Sequence, residues 1–334
     1  MKWISLLLAL LIFGGAVYAQ TDDAVADPWP DQYYAPYLYG ASAYPIAYLA
    51  ETAGVKYLSL AFVLAGRNGC EAAWDGASPL DMRKPLVTEI EKIRENGGDV
   101  IVSFGGAGGD ELALDCPDAA SLAEQYQRVI DTYSLTRVDF DIEANEIADT
   151  ESVERRSEAI ALLQNHAAET GQPLAVMFTL PVLPTGLTDS GLSLLQSAID
   201  HGVEIDMVNI MTMNYGSAYP ADEMGPRTID AAESLYDQLA AFYPEKTEAE
   251  LWRMIGLTPM IGANDTLPQT FTLDDAEMIV EFARQKGIRQ LAMWSINRDR
   301  ACPADAFMVS GTCSGVTQAE NAYSEILSTF GSSD

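Results

Sequence analysis

Positive charge is what this chain has least of. Lysine occurs only at positions 2, 56, 84, 92, 246 and 286, and 19 Lys and Arg residues face 49 Asp and Glu, a formal charge of -30. A surface of that sign repels phosphate backbones and anionic headgroups, which excludes nucleic acid and anionic membrane as partners. Histidine is nearly absent: His166 and His201 are the whole supply, both in helical or helix-terminal contexts that suit structural roles. The four cysteines, Cys70, Cys116, Cys302 and Cys313, contain no pair with metal-ligand spacing. No zinc site and no cofactor are therefore expected. The glycine-rich stretch Ser103 to Gly109 lacks the lysine of a phosphate cradle and reads as a turn that makes room for neighbours. One apolar run exists, near the start. Lys2, the stretch Ile4 to Ala16 and the small-residue site Val17-Tyr18-Ala19 read as a secretory leader over residues 1–19, cleaved near Ala19. The run is too short to span a bilayer, so a secreted protein with no membrane anchor is expected.

What is present is a regular alternation. After a polar, proline-containing segment (residues 20–32, expected to be loose), strand patterns appear at Tyr33–Leu38, Tyr57–Leu64, Asp99–Phe104, Arg137–Ile142, Leu174–Leu180, Met207–Met213, Met254–Thr258 and Gln290–Trp294. Helical patterns lie between them, among them Lys84–Asn96, Ala120–Tyr133, Thr150–Thr170, Gly191–Gly202, Ala231–Phe242 and Leu273–Lys286. Eight such units predict an α/β fold, a single-domain (β/α)8 TIM barrel over residues 33–334. A doubly wound open sheet is the alternative, but it seldom needs eight regular units. Four cysteines allow three pairings. The local ones, Cys70–Cys116 and Cys302–Cys313, are favoured, and disulfides suit an exported protein.

The fourth strand carries the chemistry. In Val138-Asp139-Phe140-Asp141-Ile142-Glu143, three acids alternate with three apolar residues, so all three carboxylates share one strand face. Alternation alone also fits an edge strand with a solvated acidic face. Here the strand lies between two amphipathic helices, the setting of a buried parallel strand, which is normally apolar throughout. Acids crowded about 7 Å apart on a buried face repel unless they share protons, and that sharing is what general acid chemistry needs. Trp294, at the end of the eighth strand, reads either as core packing or as an apolar platform for a sugar ring.

These segments resemble the family 18 glycoside hydrolases, the chitinase family. Asp139-Phe140-Asp141-Ile142-Glu143 is similar to the D-x-D-x-E part of its signature, and Ser103-Phe104-Gly105-Gly106 to its S-x-G-G motif. Phe178–Pro181, Met211–Gly216, Gly256–Gly262 and Met293–Arg300 resemble further segments of secreted bacterial members. The resemblance implies retaining, substrate-assisted hydrolysis of β-1,4-linked N-acetylglucosamine in chitin. Glu143 would be the acid and then the base, and Asp141 would hold the 2-acetamido group. Asp139 would share a proton with Asp141, with Ser103 as its hydrogen-bond partner. Substrate contacts would come from Gly105, Gly106, Met211, Asn214, Tyr215 and the Trp294 floor.

Two departures stand out: Thr136 replaces the outermost signature aspartate, with Arg137 where glycine is usual, and Met213-Asn214 precede Tyr215 where a tyrosine is followed by an acid or amide. The interval Pro259 to Arg289 leaves no room for an inserted subdomain, and the other loops look short. That predicts an open cleft and internal cleavage by a monomer, with Trp294 and Trp74 as the available exposed aromatics. An endo-β-N-acetylglucosaminidase of N-glycans and a non-catalytic chitin-binding barrel are the alternatives. Relatives of the second kind typically lack the glutamate present here as Glu143.

Overall fold

The computed structural model describes residues 29–40, 45–80, 84–304 and 309–331. The expected leader (1–19) and residues 20–28 of the segment after it lie outside the described residues. Eight parallel strands close on themselves: Tyr33–Tyr34 continued by Tyr37–Tyr39, then Tyr57–Gly66, Asp99–Gly105, Arg137–Asp141, Ala175–Leu183, Ile205–Met211, Ile255–Thr258 and Gln290–Leu291. The eighth strand pairs back onto Tyr33–Tyr34, and Tyr37–Tyr39 pairs with the second strand, which completes a (β/α)8 barrel. Regular pairing in the eighth strand ends at Leu291, short of the expected Trp294, with only the parallel bridge Met260–Trp294 beyond. Its partner strand reaches Pro259 there, which has no N–H to give the ladder.

Local signals fix the helices outside the barrel. Helix Thr150–Thr170 starts where the Asp149 side chain accepts from Ser152 N, and it stops at Gly171 in the left-handed region, φ 69°. Helix Leu273–Lys286 opens with a capping box between Thr272 and Asp275 and ends at Gly287, φ 77°. Val138 and Phe140 on the fourth strand, and Ile142 just beyond it, are fully buried in the main apolar core. Phe140 stacks on Phe104 at 5.3 Å and meets Tyr126 edge-on at 5.0 Å. Burying a side chain of that size contributes roughly 3 kcal/mol.

The interior is layered. At the base, Tyr33, Ile101, Met177 and Met207 pack with Trp29, which is buried. The barrel therefore begins at Trp29, and that part of the segment expected to be loose is packed, because its one large apolar ring plugs the open end. Arg137 also faces inward: its guanidinium lies 5.4 Å from the Trp29 ring centre and 5.7 Å from that of Tyr33. Its Nη1 reaches Asp206 at 2.8 Å. Stacking plus an ion pair satisfies a buried cation in a place where glycine would leave a hole.

Two features at the rim go beyond the sequence expectation. The second strand runs past the barrel and folds back as an antiparallel hairpin, Gly69–Trp74, in register Val63–Trp74 and Leu64–Ala73. The loops beyond the strands are thus not all short, and this hairpin walls one side of the cleft. Trp74 is fully buried, with Nε1 donating to Tyr133 Oη at 2.7 Å, so it is not an exposed aromatic. The disulfides are Cys70–Cys116 and Cys302–Cys313. The first ties the hairpin to the loop after the third strand.

Candidate active site

Strand parity sets the site. Arg137, Asp139 and Asp141 point into the barrel in ascending layers, and Asp139 and Asp141 are buried. The strand ends at Asp141, and Glu143 stands at the rim, half-buried. Ala144 adopts φ 49°, a left-handed conformation costly for a residue with a Cβ, and this turns the chain sharply into the short helix Glu146–Ala148. Glu146 N then donates to Glu143 O at 3.1 Å, which locks the turn that presents the glutamate.

Asp139 anchors a belt of polar groups across the barrel. Ser103 Oγ and Tyr37 Oη donate to its Oδ2 at 2.6 and 2.7 Å, and Thr179 Oγ1 donates to Oδ1 at 2.7 Å. Asn209 Nδ2 donates to Thr179 at 2.9 Å, and Thr258 Oγ1 donates to Asn209 Oδ1 at 2.9 Å. Five strands besides that of Asp139 thus join one hydrogen-bonded layer. Asp141, one layer up, is different: its Oδ1 is buried and has no hydrogen-bond partner. An unpaired carboxylate there would be very costly, so the site favours a protonated carboxyl with an oxygen free to engage something in the cavity.

Proton affinities follow from this arrangement. Burial pushes Asp139 up to about 6, and the three hydroxyl donors hold it from rising further. Asp141 is raised well above the ordinary carboxylate range, first by burial and then by the charges of Glu143, Asp139 and Glu146. Glu143 is pushed up to about 7, again chiefly by burial, with the Glu146 charge adding to it. At neutral pH the trio therefore holds protons that ordinary carboxyls would have lost, with Glu143 poised to donate and to accept.

Above the acids lies a cavity of 190 Å³ lined by Asp141, Glu143, Met211, Asn214, Asp265 and Trp294, among others. Trp294 is stacked on Phe62 (5.6 Å between ring centres, 20° between planes), and Phe62 lines the cavity beside it. Through Phe62, Ala107 and Trp294 the cavity opens into a groove of 670 Å³ along the hairpin wall.

Several expected contacts sit elsewhere. Gly105 and Gly106 do not line the cavity. A Cβ on Gly105 would lie 2.1 Å from Asp141 O, and one on Gly106 would lie 2.7 Å from the Phe62 ring, so both glycines admit neighbours rather than substrate. Tyr215 points away from the cavity, buried against Tyr219 at 5.9 Å. Asn214 lines the cavity, but its amide is committed: Nδ2 donates to Asp265 Oδ2 at 3.2 Å and Oδ1 accepts from Thr266 N at 3.0 Å. The carboxylate of Asp265 is what that clasp presents to the cavity. Thr136, in place of the outer aspartate, has a buried Oγ1 without a partner.

The family model for glycosyl hydrolases family 18 matches residues 32–249. The chain belongs to glycosyl hydrolase family 18. Its similarity to other members extends beyond that span. It is 36% identical over 292 residues to the probable bifunctional chitinase/lysozyme of Escherichia coli (strain K12). It is 35% identical over 293 residues to endochitinase 11 of Metarhizium anisopliae. Each alignment covers 84% of this chain but only 32% and 55% of those proteins, so the chain spans about a third and about half of the curated relatives it matches. Among solved structures, the catalytic domain of the hyperthermophilic chitinase from Pyrococcus furiosus is 38% identical with a TM-score of 0.81, covering 90% of this chain and 95% of that one. Catalytic-site mutants of active domain 2 of that chitinase, complexed with chito-oligosaccharides, are 37% identical with the same TM-score of 0.81 and the same coverage of 90% and 95%.

Several polar residues around the site of this family 18 barrel lie outside the sequence expectation. Tyr37, Thr179, Asn209 and Thr258 carried a usable signal: each is a polar group at an inward position of a buried parallel strand. Asp265 carried none, because it sits on irregular backbone where no period tells inside from outside.

Proposed function

We propose that this family 18 member cleaves β-1,4 linkages between N-acetylglucosamine units of chitin, with retention of configuration and with help from the substrate. The observation that carries the reading is the pairing of Glu143, held protonated to about pH 7 at the rim, with Asp141, whose buried Oδ1 has no partner. Glu143 donates its proton to the glycosidic oxygen. The acetamido oxygen of the same sugar attacks the anomeric carbon as that bond breaks, and Asp141, its proton passed to Asp139, accepts the acetamido N–H and offsets the positive charge of the cyclised intermediate. Water then adds with Glu143 as base, which opens the ring and returns the proton. Trp294 gives the sugar an apolar floor, and Asp265 offers a hydroxyl acceptor opposite. The groove continuing along the hairpin supports binding of a chain on either side of the cut, hence internal cleavage by a monomer. The two disulfides support export into an oxidising compartment, in keeping with a leader over residues 1–19.

Chitin oligosaccharides of graded length provide the test, with the anomer of the first product followed by NMR. The wild type should release short oligomers in the β configuration, and Glu143→Gln should lose at least about 10²-fold in turnover while still binding them. Turnover retained in Glu143→Gln, or an α product, would overturn the mechanism. Release of glycans from a glycoprotein without cleavage of chitin oligomers would instead support the N-glycan reading. Early loss of viscosity of a soluble chitin derivative would mark internal cutting, and persistent viscosity with steady dimer release would contradict it.

A further inference from the structure

One titratable group beside the acid strand has no part in the mechanism above. Glu146 lies three residues after Glu143, in the turn fixed by Glu146 N and Glu143 O. Its Oε1 accepts from Glu111 N at 3.2 Å, while its Oε2 is buried and has no hydrogen-bond partner. Behind it lies a buried ion pair. Arg156, 1% exposed, donates through Nη2 and Nε to Glu111 Oε2 at 2.7 and 3.2 Å. Tyr126 Oη donates to the other oxygen of Glu111. The third guanidinium nitrogen, Arg156 Nη1, is also buried and unpartnered. Glu146, with an orphan acceptor, and Arg156, with an orphan donor, thus act on one another's charge.

We propose that Glu146 is a positioning residue that links Glu143 to the buried Glu111–Arg156 pair and sets the pH at which the catalytic acid surrenders its proton. This rests on Glu143 being the general acid. The charges acting on Glu146 are Glu111 and Asp110 from the loop after the third strand and Arg156 from helix Thr150–Thr170. Helix Asp189–Asp200 also packs on this turn, where Ile147 meets Gly191. From its own segment, Glu143 and Asp141 feel the charge of Glu146. Glu111 already neutralises Arg156, so the pair does not hold Glu146 fully ionised, and burial pushes Glu146 up to about 7. Both glutamates therefore titrate over the same range. Each proton lost from Glu146 places a like charge near Glu143 and makes the next loss harder, which keeps the acid loaded at higher pH.

The test is the pH profile of kcat/KM on a chitin oligosaccharide for the wild type, Glu146→Gln and Glu146→Ala. The expected result is a maximum within about twofold of wild type and an alkaline limb moved down by about one pH unit, the effect of removing one nearby like charge. A limb that stays in place, or a loss by one constant factor at every pH, would overturn the proposal. Carbon-13 NMR titration of the side-chain carboxyls of the wild type, without substrate, needs no variant. Glu143 and Glu146 should titrate as an interacting pair with two broadened steps, and independent single steps would equally overturn it. A wild type that titrates so but hydrolyses no chitin oligomer would refute the proposed reaction while leaving the linkage standing.

Discussion

The acid that the proposed reaction needs should weaken the fold that holds it. Glu143 is raised from an ordinary value of 4.5 to about 7, chiefly by burial. In the unfolded chain the same carboxyl ionises near its ordinary value. Between those two values the folded state binds more protons, so stability is fully present at low pH and falls as pH rises through about 7. The difference, taken at 1.36 kcal/mol per unit, is about 3 kcal/mol lost above neutrality. Glu143→Gln keeps the shape and never carries the charge. At roughly pH 4 the variant and the wild type should melt alike, since both side chains are neutral in the fold. At roughly pH 9 the variant should be about 3 kcal/mol more stable, or about 5 °C higher in Tm for a barrel of this size. Differential scanning calorimetry across that range is the assay. A Tm difference equal at both ends, or a variant less stable at the alkaline end, would refute the reasoning, because either result means that burial does not penalise the Glu143 charge.

Three further outcomes are expected. Thr179→Val removes a donor to Asp139 and the acceptor of Asn209, so it should cost roughly 1–3 kcal/mol in denaturant unfolding and depress turnover; a silent change would break the argument for the belt. Tyr215→Phe should leave kcat and KM on chitin oligosaccharides within about twofold, and a tenfold rise in KM would return its hydroxyl to the binding site. The bridge Cys70–Cys116 closes 46 residues and Cys302–Cys313 closes 11, so double Cys→Ala variants should lose about 4 and about 3 kcal/mol respectively, and a reversed order in urea melts would contradict the loop-entropy account.

Legibility in the sequence followed regularity of the backbone. Helix Thr150–Thr170 and helix Leu273–Lys286 could be bounded because Asp149, Gly171, Thr272 and Gly287 spell out their ends chemically. Asp139 and Asp141 could be placed inside because a period of two survives as long as the strand does. Parity fails where the strand stops. After Met211 the chain leaves the sheet, and Asn214 at φ 53° reverses its direction, which sends Tyr215 into the helical layer and hands the cavity to Asp265 from the next loop. The hairpin at the rim did leave a trace, since Asn68-Gly69 between apolar runs is a strong turn signal. Trp74, expected as an exposed aromatic, is buried because it ends the returning strand of that hairpin.

The polar belt has a bearing on how this molecule fails when heated. Tyr37, one of the three donors to Asp139, belongs to the first strand, which is interrupted at Ala35-Pro36 and pairs over two residues with the eighth strand and three with the second. Loosening of that seam would withdraw a proton donor from the acid layer long before any helix melts. Loss of turnover would then register the opening of the cylinder itself, and catalysis would serve as a more sensitive gauge of its closure than circular dichroism.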